Sequence, residues 1–438
     1  MINILIITYY WPPAGGPGVQ RMLKFVKYLP ELGIKPHVIT VRNGDYPAID
    51  ETLADDIPAN LIVKKVKGWE PYGIFRFLTR RKKDEKIPVG ILVQDNQSIF
   101  KKIFSWIRLN FFIPDGRLFL VIPFIRATRK MIQDYQIEGI ITTGPPHSMH
   151  LPALWVSKRN SINWTADFRD PWTQIYYYES QPRSMLAKRI DQWLERSVLC
   201  RADDIITVSP QIARQLSSIS GKTNVVTIYN GYDKADFSSR LNSEVKGRFR
   251  IAYLGNFKAN QNIDELWSVL SDLSSKNNEL ANALEIAIVG NFHLEVIDKL
   301  NKRGLSKFLK LVKYVPHHQA IEIMRNSSVL LFIIPNVSGN AGIVTGKLFD
   351  YLAASRPLLS IGPPNGDAAK ILYQVKAGEM IDPSDIVGLR NRINNLFHLW
   401  KINKLSSAVP ERTLIKQFER RQLTRTLSEV IMNRINNR

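Results

Sequence analysis

The sequence predicts an α/β protein with two Rossmann-like, doubly wound parallel-sheet domains facing a cleft. Two observations carry this. Two distant stretches open alike, each an apolar strand, a glycine-bearing loop and a helix. The first is Ile2–Ile7, the loop 8–18 and a helix from about Val19; the second is Phe249–Leu254, the loop 255–262 and a helix from about Ile263. Such a unit favours anions, because loop N–H groups and the helix N-terminus both point at the ligand. Strand and helix patterns also alternate through both halves, as they do where helices cover both faces of a parallel sheet.

In order along the chain, strands are expected at 2–8, 35–40, 61–66, 139–143, 162–168 and 204–208, with helices such as 21–32 and 149–158 between them. A last strand and turn at 225–233 leads out of a first domain, 1–233, which carries an insertion at about 70–117. A polar linker at 236–247 follows. The second domain, 248–400, has strands at 249–254, 284–289, 309–314, 328–333 and 357–361, and 401–438 is a helical segment.

With 438 residues, two cores are the natural arrangement. No run of eighteen apolar residues occurs, so no transmembrane helix is expected. The N-terminal apolar run reads as a first strand and not as a signal peptide. Cys200 is the single cysteine, which excludes an intrachain disulfide, fits a reducing cytoplasm and is expected to fill core space. The net charge of +21 asks for an anionic partner: nucleic acid, an anionic membrane surface or a phosphorylated substrate.

The insertion holds a basic cluster, Arg80, Arg81, Lys82 and Lys83, and then a segment at 101–113 that mixes Lys101 and Arg108 with Phe104, Trp106, Ile107 and Phe111. On a helix, that mixture suits a bilayer interface or an ordinary helix packed on the core.

The first loop places Gly15, Gly16 and Gly18 where backbone can approach a ligand closely. It departs from the dinucleotide fingerprint, because Arg21 stands at the third glycine position. Gly346-Lys347 and Gly221-Lys222-Thr223 both lack the earlier glycine of a Walker loop. His147 follows the strand 139–143 at the edge where open α/β sheets bind ligands, while His150 reads as structural. Asp167, Arg169 and Asp170 end the next strand. Charges there either form an internal ion-pair network or grip sugar hydroxyls and phosphates. Lys347 near a helix N-terminus can balance a diphosphate, with Lys258 as a second cation. Asp350, one turn on, can accept hydrogen bonds from a ribose. No Asp-x-Asp occurs, and no His/Cys/Asp cluster has metal-ligand spacing, which points to a metal-independent site.

Together these stretches resemble the GT-B glycosyltransferases of family 4, and within them a bacterial subgroup. The matching segments are 8–21, 113–117 (IPDGR), 143–172 (TGPPHSMH…ADFRDPW), 228–233 (IYNGYD), 253–262 (YLGNFKANQN) and 346–357 (GKLFDYLAASRP). The resemblance implies a retaining, metal-independent transferase that needs no cofactor. It would move a sugar from a nucleotide-sugar donor to a saccharide or lipid-linked acceptor, in cell-surface polysaccharide or glycolipid synthesis. Asn256, Lys258, Thr345, Gly346 and Lys347 would hold the diphosphate and its surroundings, Asp350 the ribose, and backbone around Val315 the base. Gly15 and Gly16 would approach diphosphate and sugar. His147, Asp167, Arg169 and Asp170 would line the sugar and acceptor side. The family's earlier acid falls at Gly342, so no carboxylate meets the sugar there. The final helix, about 416–437, would cross back onto the first domain. The expected location is the cytoplasm, with the inner face of the membrane as a candidate surface.

Two other readings stand beside this one. A sugar-nucleotide epimerase shares the architecture and would act on a single substrate. A nucleic-acid binder would explain the charge, but the sequence holds no recognition motif of a known module, and nucleic acid is not expected as a partner.

Overall fold

The computed structural model of the chain describes residues 1–46, 48–69, 99–160, 162–178, 181–237 and 247–436. Contacts divide the chain into two units, Met1–Tyr229 with Leu423–Arg438, and Asn230–Gln422.

The first unit is built on β1 (Ile2–Ile7), β2 (Ile34–Val41), β3 (Ile62–Val66), β4 (Gly139–Gly144), β5 (Asn163–Phe168), β6 (Asp204–Thr207) and β7 (Val225–Thr227). They form one sheet in the order β3-β2-β1-β4-β5-β6-β7, with every pair parallel. The chain winds one way from β1 and the other way from β4, so the switch point lies between them, with Ile7 opposite Thr142. Ligand crevices of such sheets open at that point. Both faces of β1 are covered, which is why its sequence is continuously apolar. Leu5 and Ile7 pack with Ile39, Phe124 and Ile140. Ile4 and Ile6 pack with Leu23, Val38 and Ile141 on the other side. The last helix, Arg420–Asn436, adds Leu423, Leu427 and Ile431 to that second cluster. Arg434 Nε also donates to Asp204 at 3.0 Å.

The second unit holds β8 (Phe249–Leu254), β9 (Leu284–Val289), β10 (Leu309–Val312), β11 (Val329–Ile333), β12 (Leu358–Ile361) and β13 (Met380–Ile381). Their order is β10-β9-β8-β11-β12-β13, again all parallel, with the switch point between β8 and β11. Phe249 and Ile251 pack against Trp267, Leu270, Ile393 and Phe397.

The fold class is therefore the one expected: two Rossmann-like parallel sheets with added C-terminal helices. Details differ. The first helix is Pro17–Tyr28, starting on Pro17 because proline suits the first helical turn. β10 stops at Val312, which frees 313–316 to leave the sheet edge as a loop. The two-residue β13 is too short to show a period. Cys200 is exposed. It lies near the end of the helix Met185–Arg201, where Val198 and Leu199 take the buried positions, so the expectation that it fills core space fails. The basic cluster at 80–83 and most of the 236–247 linker lie outside the described residues. Among the described residues, no helix is long and apolar enough to cross a membrane.

Candidate functional site

Each unit gathers candidate residues at the C-terminal edge of its own sheet.

In the first unit the loop after β1 runs to the N-cap Gly16, whose φ of 101° is open to glycine alone among common residues. The Gly15 N–H is already bonded to Ala48 O at 2.9 Å. Gly18 serves a close approach: a Cβ there would sit 2.3 Å from Arg169 Nη1. The guanidinium of Arg169 thus rests against the first turn of the helix Pro17–Tyr28. Its Nε donates to Gly144 O at 3.2 Å and its Nη2 to Pro145 O. Burial lowers the pKa of Arg169, and the charges of Asp167 and Asp170 oppose that shift. Gly18→Ala should expel the guanidinium and, with it, any ligand contact that Arg169 makes. Isothermal titration with the acceptor, once identified, checks this, with circular dichroism as the fold control.

Asp167 is fully buried. Arg21 grips it through Nε at 3.2 Å and Nη2 at 2.9 Å, and Thr143 Oγ1 donates to it at 2.8 Å. Arg21 Nη1 also donates to the carbonyls of Ile228 and Tyr229 at 2.8 and 2.9 Å. For Asp167, then, the internal ion-pair network describes what is seen. The residue that broke the dinucleotide fingerprint is its partner. Asp170 is exposed beside it.

His147 and His150 are both buried in a ring stack. His147 lies on Trp172 at 4.8 Å and 7°, and His150 on Phe168 at 4.6 Å and 17°. Each ring has one polar partner. Trp164 Nε1–H donates to Thr142 Oγ1 at 2.8 Å, and that oxygen lies 2.8 Å from His150 Nδ1. The threonine oxygen has two acceptor lone pairs and one proton, so it accepts from the indole and can pair with His150 Nδ1 in either tautomer, while His150 Nε2 is buried without a partner. His147 bonds the backbone of Pro171, which has no N–H, so His147 is the donor. Its Nδ1 is buried without a partner, which leaves Nε2 as the donating atom. Burial, and then the charge of Arg169, push His147 down to about 3, and burial holds His150 well below its usual value. Both rings are neutral at physiological pH. Because the unfolded histidines bind protons first, this pair costs stability as pH falls from about 6.5 towards 3.

Residues not singled out from sequence hold this edge. Asp115 accepts from Ser148 N at 2.9 Å and Ser148 Oγ at 2.8 Å, fixing the turn that carries His147. On the helix Met185–Arg201, Asp191 accepts from Trp172 Nε1 at 2.7 Å and Arg183 Nη2 at 2.6 Å. Glu195, one turn on, accepts from Thr173 Oγ1 at 2.5 Å. The acids at this i,i+4 spacing were the available sequence signal.

In the second unit the loop after β8 and the helix Gly346–Ala353 meet. Lys347 is partly buried, and its Nζ donates to Tyr253 Oη at 2.7 Å while lying 4.2 Å from that ring's centroid. A Cβ on Gly255, whose φ is 108°, would stand 2.7 Å from the ammonium. Burial, and then the charge of Lys258, bring Lys347 down to about 7. Among the described residues neither lysine has a carboxylate partner. Asn256 and Lys258 are exposed on the loop, and Gln261 Oε1 accepts from Lys258 N at 3.2 Å. Thr345 caps the helix without a side-chain bond to it, and its Oγ1 is buried and unpartnered. Gly342 is buried in the short turn Asn340–Gly342. Asp350 lies near His317: burial lowers the pKa of that histidine, but the Asp236 carboxylate 3.4 Å away, and then the charge of Asp350, hold it above its usual value. His317 lies just beyond Val315, so the ribose and base candidates share one side. Tyr253 and Gly255 lie in the segment 253–262 already marked in the sequence, but their role as the seat of Lys347 was not anticipated there.

Residues 104–231 match the family model of the glycosyl transferase 4-like domain. No curated protein matches the sequence. Among solved structures, sucrose-phosphate synthase from Thermosynechococcus elongatus is similar with a TM-score of 0.67 and 13% identity over 100% of both chains. TarM of S. aureus, solved with UDP, gives 0.62 and 11% over 100% of both chains. A putative UDP-N-acetylglucosamine 2-epimerase from Listeria monocytogenes gives 0.53 and 9%, covering 100% of this chain and 97% of that one. At these identities the likeness is one of fold: a glycosyltransferase-like protein of the GT-B fold, which several nucleotide-sugar enzymes share.

Proposed function

We propose that the protein is a retaining glycosyltransferase that takes a sugar from a nucleoside-diphosphate sugar without a metal. The acceptor is a saccharide or lipid-linked saccharide on the cytoplasmic side of a membrane, in surface polysaccharide or glycolipid synthesis. The observation that carries this is Lys347: a partly buried ammonium with only a phenol as partner, beside Lys258 and the first turn of a helix. Two cations and a helix N-terminus in a partly dry site are suited to a diphosphate, and to the charge that grows on it as the sugar leaves. The donor occupies the second unit, with Asp350 on the ribose, the backbone at Val315 by the base, and Asn256, Thr345 and Gly346 around the phosphates. Gly15 and Gly16, with Arg169, Asp170 and the rim of His147, serve the sugar and acceptor, while Asp167 acts through Arg21 and β5. In the reaction the bond from the anomeric carbon to the diphosphate breaks and one to the acceptor oxygen forms. The acceptor's proton leaves towards the diphosphate.

A thermal-shift screen against UDP, GDP, ADP, CMP and their sugars tests the reading, because a ligand of the folded state raises its melting temperature. One nucleotide family should shift it selectively. Asp350→Ala should weaken that binding by about 1–3 kcal/mol, the cost of losing charge-assisted hydrogen bonds. No shift with any nucleotide overturns the reading, and turnover of a nucleotide sugar with no acceptor present replaces it with epimerisation.

A further inference from the structure

The first unit presents an apolar, cationic face that its own core does not use. The helix Ile99–Phe111 turns Trp106, Ile107 and Phe111 outward, with Phe111 67% exposed. The helix Met185–Arg201 turns out Leu186, Ile190 and Trp193, at 69%, 39% and 65%. Asn110 joins the two: its Nδ2 donates to Pro182 O at 3.1 Å and its Oδ1 accepts from Ser184 N at 2.6 Å. Six large side chains on two adjoining helices exceed the scattered apolar residues normal to a protein surface.

Charge selects the occupant. Arg189 and Arg196 are exposed, and helical spacing places them within the same stripe as Leu186 and Trp193. The two acids of that helix, Asp191 and Glu195, are turned inward to Trp172 and Thr173. The segment Ile99–Phe111 contains no acid at all. The face is therefore apolar and cationic with no negative charge among its outward residues. Tryptophan and arginine together suit the headgroup level of an anionic bilayer, where the rings enter the interface and the cations meet lipid phosphates.

We infer that this face docks the protein on an anionic lipid bilayer. The same helix that lies on the lipid holds the Asp170–Thr173 segment from its inner side. Docking thus brings the proposed acceptor edge close to the membrane plane, as a lipid-linked acceptor needs.

The test is co-sedimentation of the full chain with vesicles of phosphatidylcholine alone and of phosphatidylcholine mixed with phosphatidylglycerol. Binding to the mixed vesicles should be on the order of tenfold or more stronger, and should fall with salt. Arg189→Glu should reduce it by about fivefold or more, the loss expected for one interfacial cation. Trp193→Ser with Leu186→Ser should reduce it on both vesicle types, at unchanged melting temperature. Equal binding to both compositions, no binding, or indifference to these substitutions overturns the inference. So does a dimer in solution that the same substitutions dissociate, because a second copy would then cover the face. Vesicle binding requires no nucleotide sugar, so its failure leaves the transferase reading standing, and the reverse holds.

Discussion

Lys347→Met loses about 1.5–3 kcal/mol of nucleoside-diphosphate affinity, about 10- to 150-fold, as measured by isothermal titration. The same substitution leaves the unliganded protein as stable or more so, because it removes a cation whose charged form is desolvated and unpaired. The sign of the pH dependence follows. The folded pKa of about 7 lies below the unfolded value of 10.5, so the folded state binds fewer protons between the two. The lysine therefore costs stability at low pH, and stability rises by up to about 1.4 kcal/mol per unit as pH climbs through that window. Ligand binding runs the other way. A diphosphate restores the charge and takes up a proton, so affinity is full below about 7 and declines by up to about tenfold per unit above it. Lys347→Met should flatten that decline. Parallel curves for the two proteins would sink the assignment of Lys347 to the diphosphate.

Arg21→Met destabilises the first unit by about 3–5 kcal/mol in urea unfolding, because it strands a buried carboxylate. The side chains of Arg21 and Asp167 are 1% and 0% exposed, so water cannot replace the lost partner. Arg21→Met combined with Asp167→Leu should recover most of the loss, since a buried pair exchanged for apolar groups of similar volume is often neutral. A single substitution that left the urea midpoint unchanged would mean that Asp167 is not held as an internal pair, and would return it to the ligand-facing residues.

These two residues also show how far the sequence could be read. Lys347 was legible because its neighbours in sequence supply its setting: a glycine, a helix start and an acid one turn on. What its ammonium touches was not legible, since Tyr253 lies near the end of β8 and Gly255 opens the loop after it, far along the chain. Arg21 was visible only as the residue that spoiled a fingerprint. Its carboxylate partner lies 146 residues away, and no local pattern encodes a pair at that separation. His147 could be placed at a strand end from the run Gly144-Pro145-Pro146. Its stacking on Trp172, and the chain of contacts from Trp164 through Thr142 to His150, depend on β4 and β5 lying side by side. The same holds for the outward face of the helix Met185–Arg201. The sequence shows a mixed helix, and only burial of Asp191 and Glu195 shows that the acids turn in.

The sequence by itself determined the class: continuous apolar strands, glycine-bearing turns and alternating helices specify two parallel sheets, because backbone periodicity and turn chemistry are local properties. It also determined which loops sit at the strand ends. The tertiary structure decided which charges are spent inside the protein and which remain for a ligand. Whether a carboxylate or an ammonium is already paired depends on residues brought close by strand order, and the energy of that choice belongs to the folded interior, not to the chain segment that carries it.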